Sequence, residues 1–437
     1  MAEKVDFALP RMGVISGRVN DELGEPIANT YVWAMQVVYF QGARRLVPMG
    51  TGMHATTDDT GQYRVLGLPP GDYVVMAQSR ETWPLDGDPK QILTYAPSYY
   101  PGTASPADAH RVKVAAGQEQ IGVDFALVPG RTAKVTGTVI GATGLPVAGE
   151  TVVLAHEVLG PTGGMVGSAG STKTGGDGTF TLTNVAPGEY QLNVRTGARG
   201  DQPAVQAVQR LNISGPDVEG LVLVASSGGT VRGHVVTDDG SALPANAERL
   251  LVRVQSLAPA LKLMMPGADF GRVNTDGTFE ITGVFGESFL RVGGLTGDWT
   301  LKAVEIEGRD TADDPIDVPQ GGILSGVRVV LTNRPTILRG RLTDEKRKPV
   351  EGTIVVFAED AARWREGTRL IRSARPDQNG EFSVKGLPPG EYMIAAVDYV
   401  QDGQWNDPEF LEGLRRRAER IAIAEAETKR VDLILKN

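Results

Sequence analysis

Short runs of alternating apolar and polar residues recur along the chain, separated by turns. Four of them share one form, in which apolar residues flank a central glycine at alternate positions. An alternation of period two is typical of a strand with one face in a core. The pattern therefore predicts four opening strands, at residues 15–19, 135–139, 231–235 and 338–342, centred on Gly17, Gly137, Gly233 and Gly340.

A longer motif follows each opening strand and places glycines and aromatic residues at fixed offsets of 0, 2, 6, 10 and 12. The copies in repeats 1, 2 and 4 are Gly61, Tyr63, Gly67, Gly71, Tyr73; Gly178, Phe180, Asn184, Gly188, Tyr190; and Gly380, Phe382, Gly386, Gly390, Tyr392. The third repeat, with Gly277, Phe279, Gly283, Gly286 and Phe289, is one residue shorter before Gly286.

The chemistry of this motif is that of turns. Asp-Gly pairs favour hairpin turns, and Pro-Pro-Gly fixes a sharp reversal. We interpret eight glycines as structural turn residues: Gly61, Gly71, Gly178, Gly188, Gly277, Gly286, Gly380 and Gly390. A motif that recurs four times with only such residues retained indicates architecture and not catalysis.

Each repeat closes with another alternating strand, and the opening glycines are 120, 96 and 107 residues apart. Repeats of this size suit independent domains and not solenoid rungs. The predicted fold class is all-β, a tandem array of four Ig-like or transthyretin-like antiparallel β-sandwiches. The predicted domains are a leading strand at 1–12 and sandwiches at 13–130, 131–227, 228–335 (divergent) and 336–437.

Composition narrows the functional classes. Gly (55) and Pro (27) are frequent among the 437 residues, yet 41% are hydrophobic, which favours a turn-rich β protein over disorder. A net charge of −9 gives no basic surface for nucleic acid, so no nucleic-acid partner is expected. The absence of cysteine excludes disulfides, thiolate metal sites and cysteine nucleophiles. No apolar run is long enough to predict membrane insertion.

The repeats resemble carboxypeptidase regulatory-like domains, relatives of the transthyretin-like sandwich. The resemblance rests on the Gly17 strand, on GEPIANTYVWA at 24–34 and on DDTGQYRVLGLPPGDYVV at 58–75. It implies sandwiches of about seven strands in an exported bacterial protein, extracellular or on the cell surface. It implies no catalysis, since the enzymes that carry such a domain have a separate catalytic domain.

The chain offers little else for catalysis, so no enzyme activity, metal or cofactor is predicted. None of the four histidines has the spacing of a zinc-carboxypeptidase site. Ser168 lies in VGSAG, which lacks the first glycine of a nucleophile elbow. The pairs Asp58-Asp59 and Asp313-Asp314 supply too few oxygens for calcium by themselves.

The feature most typical of a ligand site is a proline-rich insertion in repeat 1 with four aromatic residues: Trp83, Tyr95, Tyr99 and Tyr100. Flat rings beside Asp and Gln would suit sugar rings, so glycans are one candidate ligand. The alternative is that the rings cap one end of the sandwich and hold the loop down.

Two short crossover helices are predicted. Asp407 and Pro408 form a helix start, and apolar residues recur at helical spacing from Phe410 to Ile421. A shorter equivalent begins at Ser105. Both helices should pack onto their own sandwich.

The first residues repeat a closing strand with no sandwich before it, because VDFALP at 5–10 matches VDFALVP at 123–129. Three explanations stay open: the chain is part of a longer array, the strand adds to a neighbouring copy, or it docks on repeat 1. Partners by strand addition would be other copies or other surface proteins.

The leading functional hypothesis is a non-catalytic extracellular or cell-surface scaffold, acting in rigid display, adhesion or assembly. Short linkers at 128–131 and 332–335 leave little slack between repeats. The alternatives are a carbohydrate-binding protein that uses the repeat-1 aromatics, and accessory domains of a larger enzyme or transporter.

Overall fold

The computed structural model describes residues 11–40, 42–52, 54–160, 163–196, 205–244, 247–257 and 270–435. The chain divides into two compact units, unit 1 (Met1–Val37 and Arg45–Ser226) and unit 2 (Val38–Arg44 and Ser227–Asn437). Among the described residues, two hydrophobic cores lie in each unit. Each core belongs to one β-sandwich, numbered 1 to 4 in chain order.

Unit 1 contains sandwich 2 and, apart from Val38–Arg44, sandwich 1. The strands of sandwich 1 and the linker after it are β1 (Gly13–Asn20), β2 (Tyr31–Phe40), β3 (Ala43–Met49), β4 (Ala55–Thr56), β5 (Gln62–Leu68), β6 (Gly71–Gln78), β7 (Thr82–Leu85), β8 (Asp88–Ala96), β9 (Ser98–Tyr99), β10 (Val112–Val114), β11 (Glu119–Gln120), β12 (Phe125–Ala126) and β13 (Val128–Arg131). Those of sandwich 2 are β14 (Ala133–Gly141), β15 (Thr151–Gly160), β16 (Gly163–Lys173), β17 (Thr179–Val185), β18 (Gly188–Arg195), β19 (Gln206–Ile213) and β20 (Val218–Ala225).

Unit 2 contains sandwiches 3 and 4. The strands of sandwich 3 are β21 (Gly229–Thr237), β22 (Leu251–Ser256), β23 (Phe270–Arg272), β24 (Thr278–Val284), β25 (Glu287–Gly293), β26 (Thr300–Ile306), β27 (Arg309–Asp310), β28 (Ile316–Asp317) and β29 (Ile323–Thr332). Those of sandwich 4 are β30 (Ile337–Thr343), β31 (Thr353–Ala358), β32 (Ile371–Ala374), β33 (Glu381–Lys385), β34 (Gly390–Val397), β35 (Glu419–Ile423), β36 (Thr428–Arg430) and β37 (Leu433–Ile434).

All four sandwiches share one two-sheet plan. In the first sheet the opening strand pairs antiparallel with the motif strand, as β14 does with β17, and parallel with the closing strand, as β14 does with β20. The second sheet is built on four strands in the order seen in sandwich 2, β16-β15-β18-β19, and in sandwich 1 β4 and β9 also pair with it. The predicted all-β tandem sandwich fold is confirmed. The parallel pair in each first sheet was not predicted, because it depends on a return of the chain across the second sheet.

The opening glycines have a shared steric role. Each lies opposite the first aromatic residue of its motif, in the pairs Gly17–Tyr63, Gly137–Phe180, Gly233–Phe279 and Gly340–Phe382. A Cβ at these glycines would lie 1.7–2.6 Å from a carbonyl oxygen of the closing strand, that of Val123, Leu221, Val327 or Val431 respectively. Glycine is therefore needed at this position, because a side chain would collide with the backbone of the neighbouring closing strand.

The second aromatic residue of the motif forms a tyrosine corner in three sandwiches. The rings of Tyr73, Tyr190 and Tyr392 are buried. Their hydroxyls donate hydrogen bonds to carbonyls four residues earlier, of Pro69, of Ala186 (2.9 Å) and of Pro388 (2.7 Å). Sandwich 3 has Phe289 here and so lacks this bond. Burial raises the pKa of Tyr190 to about 12.

The turn glycines of the motif mostly adopt positive φ. The angle is 63–84° at Gly61, Gly178, Gly277, Gly286 and Gly380, and 153° and 159° at Gly188 and Gly390. Gly71 lacks a positive φ, but a Cβ there would lie 2.2 Å from Nε2 of Gln36. The domain boundaries drawn from the sequence stay predictions.

Of the two predicted crossover helices, the one in sandwich 4 is an α-helix and the one in sandwich 1 is only a single turn with no buried residue. A 3-10 turn, Pro106–Asp108, lies in sandwich 1, and helix α1 (Pro408–Arg415) lies in sandwich 4. Asp407 caps α1 by accepting the N–H of Glu409 at 3.0 Å, and Leu411 and Leu414 are buried in the core. The expectation that helical spacing continues to Ile421 was wrong. Ile421 lies in β35, which pairs with β34, so tertiary pairing overrides the local period.

Candidate functional site

The four aromatic residues predicted to bind glycans do not share one surface. Trp83 is half-buried on β7, and its ring lies 4.7 Å from that of Tyr95. Tyr95 is buried, and its hydroxyl donates to Glu22 at 3.1 Å. Tyr100 packs against the core of sandwich 1 with its ring 6.2 Å from Phe125.

Tyr99 belongs to neither of these ring pairs. It lies on β9, where it pairs with Met76 of β6. Its side chain is half-buried, and burial raises the pKa of its hydroxyl. The insertion therefore places its rings in three different surroundings. A glycan site at Trp83, Tyr95, Tyr99 and Tyr100 stays a prediction.

The insertion forms instead the joint between sandwiches 1 and 2, here called joint A. It is a three-stranded sheet in the order β13-β8-β7, and β13 is the linker itself. Thr132 donates both its N–H (3.0 Å) and its hydroxyl (2.9 Å) to the carbonyl of Ile92. A Cβ at Gly130 would lie 3.0 Å from Cγ of Pro187, so the linker lies close to sandwich 2. The linker is thus a paired strand within unit 1.

Sandwiches 3 and 4 meet at a second joint, here called joint B, which is built from side chains. The Nη2 of Arg369 in sandwich 4 lies 2.7 Å from Oδ2 of Asp313 in sandwich 3, and its Nε lies 3.1 Å from the same oxygen. The N–H of Arg369 also donates to Asp313, at 2.7 Å. Only 6% of the Arg369 side chain and 8% of the Asp313 side chain are exposed, so this is a buried ion pair.

The remaining donors of Arg369 are also used. Its Nη1 donates to the carbonyls of Leu301 (3.0 Å) and Lys302 (2.6 Å) on β26. Burial alone would raise the pKa of Asp313, but the hydrogen bonds and charge of Arg369 outweigh it, and that pKa lies below its ordinary value. A buried pair with these extra bonds has the geometry that offsets desolvation.

Arg291 and Lys302 complete joint B. Arg291 donates to the carbonyl of Gly367 across the joint and to Ala312 at 2.7 Å on its own side. Burial lowers the pKa of Arg291 to about 10. Lys302 lies between Asp238 (3.1 Å) of sandwich 3 and Glu425 of sandwich 4. Arg291 and Arg369 belong to no motif in the sequence, and the pair Asp313-Asp314 suggested only a calcium ligand.

Residues considered for catalysis have structural partners where the structure describes them. Asp58 accepts the backbone N–H of Thr60 and of Gln62, both at 2.9 Å, so its carboxylate holds the turn. His54 stacks edge-on against Tyr31 at 4.4 Å. Within the described residues, no three His, Asp or Glu side chains come together as metal ligands. The side chain of Ser168 and the leading strand at 1–10 lie outside the description.

Across the described part of the chain, no helix combines the length and apolar character needed to cross a membrane. No curated protein matches the chain. Solved structures similar to it include the TIE protein of Bacillus anthracis, with 11% identity, a TM-score of 0.19 and coverage of 100% of this chain and 76% of that one.

Two pilus proteins are also similar. The streptococcal ancillary pilin has 13% identity and a TM-score of 0.20, covering 70% of this chain and 99% of that one. The RrgB pilus protein of Streptococcus pneumoniae has 8% identity and a TM-score of 0.18, covering 97% and 98%. Likenesses at these TM-scores carry no argument about function. The resemblance found in the repeats is confirmed for the first of them, because residues 14–128 match the family model of the carboxypeptidase regulatory-like domain.

Proposed function

We propose that this chain is a non-catalytic structural protein, extracellular or displayed on a cell surface, whose sandwiches are held in rigid pairs for display, adhesion or assembly. The observation that carries the proposal is the identity of the repeated residues. They are the glycine under the closing strand, the turn aspartate and glycine, and the corner tyrosine. Each makes a contact that closes a sandwich, and none is arranged around a substrate.

The joints support the same function. Joint A turns its linker into a strand of a sheet, and joint B buries an ion pair between its sandwiches. Domains joined by a flexible linker lack such contacts and move independently. Rigid pairs suit a protein that holds a partner or a further domain at a set distance.

Distances between spin labels test the rigidity directly. The chain has no cysteine, so label pairs can be placed without background. Asp72→Cys with Thr183→Cys spans joint A, and Thr282→Cys with Ser383→Cys spans joint B; all four positions are exposed. We expect a narrow distance distribution for each pair. Distributions as broad as those of a flexible linker would contradict the proposed rigidity. The proposed extracellular or cell-surface location is tested by labelling intact cells that produce the chain with an antibody against it, and a failure to label them would contradict that location.

Glycan binding is the second candidate. It is favoured by the half-buried Trp83, which stacks on Tyr95 at an edge of joint A. A glycan array probed with the whole chain tests it, with Trp83→Ala as the variant and Trp405→Ala, which changes a half-buried tryptophan of sandwich 4, as the control. Binding that Trp83→Ala alone removes would support this site, and no binding would exclude it for the glycans tested.

A further inference from the structure

One strand of sandwich 2 departs from the rest of the molecule. Strand β20 forms an edge of its sheet, where β14 is its strand partner within the described residues; just after its last residue, Ser226 bridges to Gln206 of β19. Val222 and Val224 on its outer face are 56% and 51% exposed. Gly220–Ala225 carries no charge. Long apolar edges of this kind are templates for pairing with another strand, and proteins usually block them with charges.

The other sandwiches have a charged residue at the equivalent position. The residue after the carbonyl that overlies each opening glycine is Asp124, Arg328 or Asp432 in sandwiches 1, 3 and 4, and Val222 in sandwich 2. The two aspartates accept backbone N–H groups of the opening strand, at 2.8 and 3.0 Å. Sandwich 2 is thus the only one of the four with an uncharged residue, Val222, at this position.

Sandwich 3 shows what covers such an edge. Its closing strand β29, the equivalent of β20, pairs with β21 on one side and with β26 on the other. Strand β26 is antiparallel to β29, with Val304 opposite Val329. The ion pair of Arg328 with Glu305, at 2.9 Å, joins the two strands on the outer face. The occupant that this edge fits is therefore an antiparallel strand.

Strand β20 is complementary to itself in that orientation. If two copies pair antiparallel about a twofold axis at Val222, Val222 meets Val222, Leu221 meets Leu223, and Gly220 meets Val224. Glu219 then meets Ala225, so no like charges face each other. An isologous contact of this kind closes after two copies.

The outer face of the same sheet supports this pairing. It presents Thr136, Thr138 and Ile140 on β14 and Thr179 and Thr181 on β17, and the ion pair of Lys134 with Glu219, at 3.5 Å, lies at the start of β20 and away from Val222. The equivalent faces of sandwiches 1 and 3 carry cross-strand ion pairs, Arg64–Glu119 and Arg232–Glu280. Uncharged β-branched residues pack well across paired strands.

We propose that β20 is a self-association site, at which two copies of this chain join their first sheets of sandwich 2 into one continuous sheet. The inference rests on the proposed structural role and specifies its assembly partner as a second copy.

Sedimentation velocity of the whole chain over micromolar to millimolar concentration tests the proposal. We expect a monomer–dimer equilibrium that Val222→Asp weakens at least tenfold. The aspartate is tolerated at this position in sandwiches 1 and 4, so the variant should keep its melting temperature. Thr181→Asp, on the opposite edge of the sheet, is the matched control and should dimerise as the native chain does. A native chain that stays monomeric, or equal dimerisation of both variants, overturns the proposal.

A covalent test does not depend on the folding of Val222→Asp. Val222→Cys places two thiols opposite each other at the twofold axis, within the range that a disulfide spans. With copper phenanthroline as the oxidant, each pair of thiols loses two electrons and two protons to form a dimer. Thr181→Cys should form no covalent dimer under the same conditions, and equal crosslinking of the two overturns the proposal. The spin-label distances within each unit are independent of this outcome, so failure here leaves the rigid pairs standing.

Discussion

Joints A and B each connect two neighbouring sandwiches, but they use different parts of the chain. In joint A the connecting segment is a strand, so backbone hydrogen bonds hold the linker to the insertion of sandwich 1. In joint B the contact depends on side chains, above all on Asp313 and Arg369. A backbone joint should tolerate side-chain changes and fail when a ladder bond is removed. A side-chain joint should fail when one charge is removed, because the other is left buried without a partner.

The largest effect is expected from Arg369→Met in joint B. The change leaves Asp313 buried without its cation, which should lower the free energy of unfolding of unit 2 by about 3–5 kcal/mol. Hydrogen exchange, followed separately for the peptides of each sandwich, measures this free energy, with unit 1 as the internal reference. Arg430→Met, which removes an exposed pair with Asp432, is the control and should cost less than about 1 kcal/mol. Equal losses for the two variants would show that joint B does not depend on this pair.

Thr94→Pro should break joint A. Thr94 lies on β8, the central strand of the joint, between Gly130 and Thr82. Proline removes a backbone N–H and is excluded from central strands, so we expect the free energy of unfolding of unit 1 to fall by about 3 kcal/mol or more. The spin-label distribution across joint A should broaden, while that across joint B stays narrow. An unchanged distribution across joint A would mean that the three-stranded sheet does not set the geometry.

Acid should weaken joint B. The pKa of Asp313 lies lower in the folded chain than the ordinary value of about 3.9 in an unfolded one. Its contribution to stability is therefore present above pH 4 and is lost as the pH falls through the folded pKa. The loss should be smaller than that of Arg369→Met, because a protonated Asp313 can still accept a hydrogen bond from Arg369, which also keeps its bonds to the carbonyls of Leu301 and Lys302. The difference in unfolding free energy between native chain and Arg369→Met, measured from pH 6 to pH 2, should shrink with falling pH; a constant difference would contradict this.

Thr132→Val should have the smallest effect. It removes the hydroxyl that donates to Ile92, but the N–H of the same residue still donates to that carbonyl. We expect a loss of about 1 kcal/mol or less in unit 1, by denaturant titration. A loss comparable to that of Thr94→Pro would mean that joint A is held by side chains after all.

The sequence predicted the sandwiches well because their signals are local. Alternation around Gly340 and the Asp-Gly turn before Phe382 each lie within one or two strands. The joints gave no such signal. Pro129-Gly130 is typical of a turn, yet in the structure it continues a strand whose partner residues lie 32–38 positions earlier. Asp313 and Arg369 are 56 residues apart, and neither belongs to a periodic pattern.

The predicted glycan site shows the same limit. The residues at 83–100 have the composition of a binding loop, and composition alone does not say which neighbours cover a ring. Tyr95 is buried because Glu22 and the insertion strands surround it. The uncharged edge at Val222 could not be predicted from the sequence either, because it becomes apparent only when the equivalent positions of the four sandwiches are compared.

The parallel pairing of opening and closing strands also sets the order in which the chain can fold. Arg18 bonds to Asp124, Lys134 to Asp217 and Arg341 to Asp432, across 106, 83 and 91 residues of sequence. Closing such long loops is slow compared with forming a hairpin. As the chain emerges from the ribosome, each sandwich stays open until its last strand appears and then closes. The sandwiches are therefore completed one after another from the N-terminal end, and each opening strand waits for the final tenth of its own repeat.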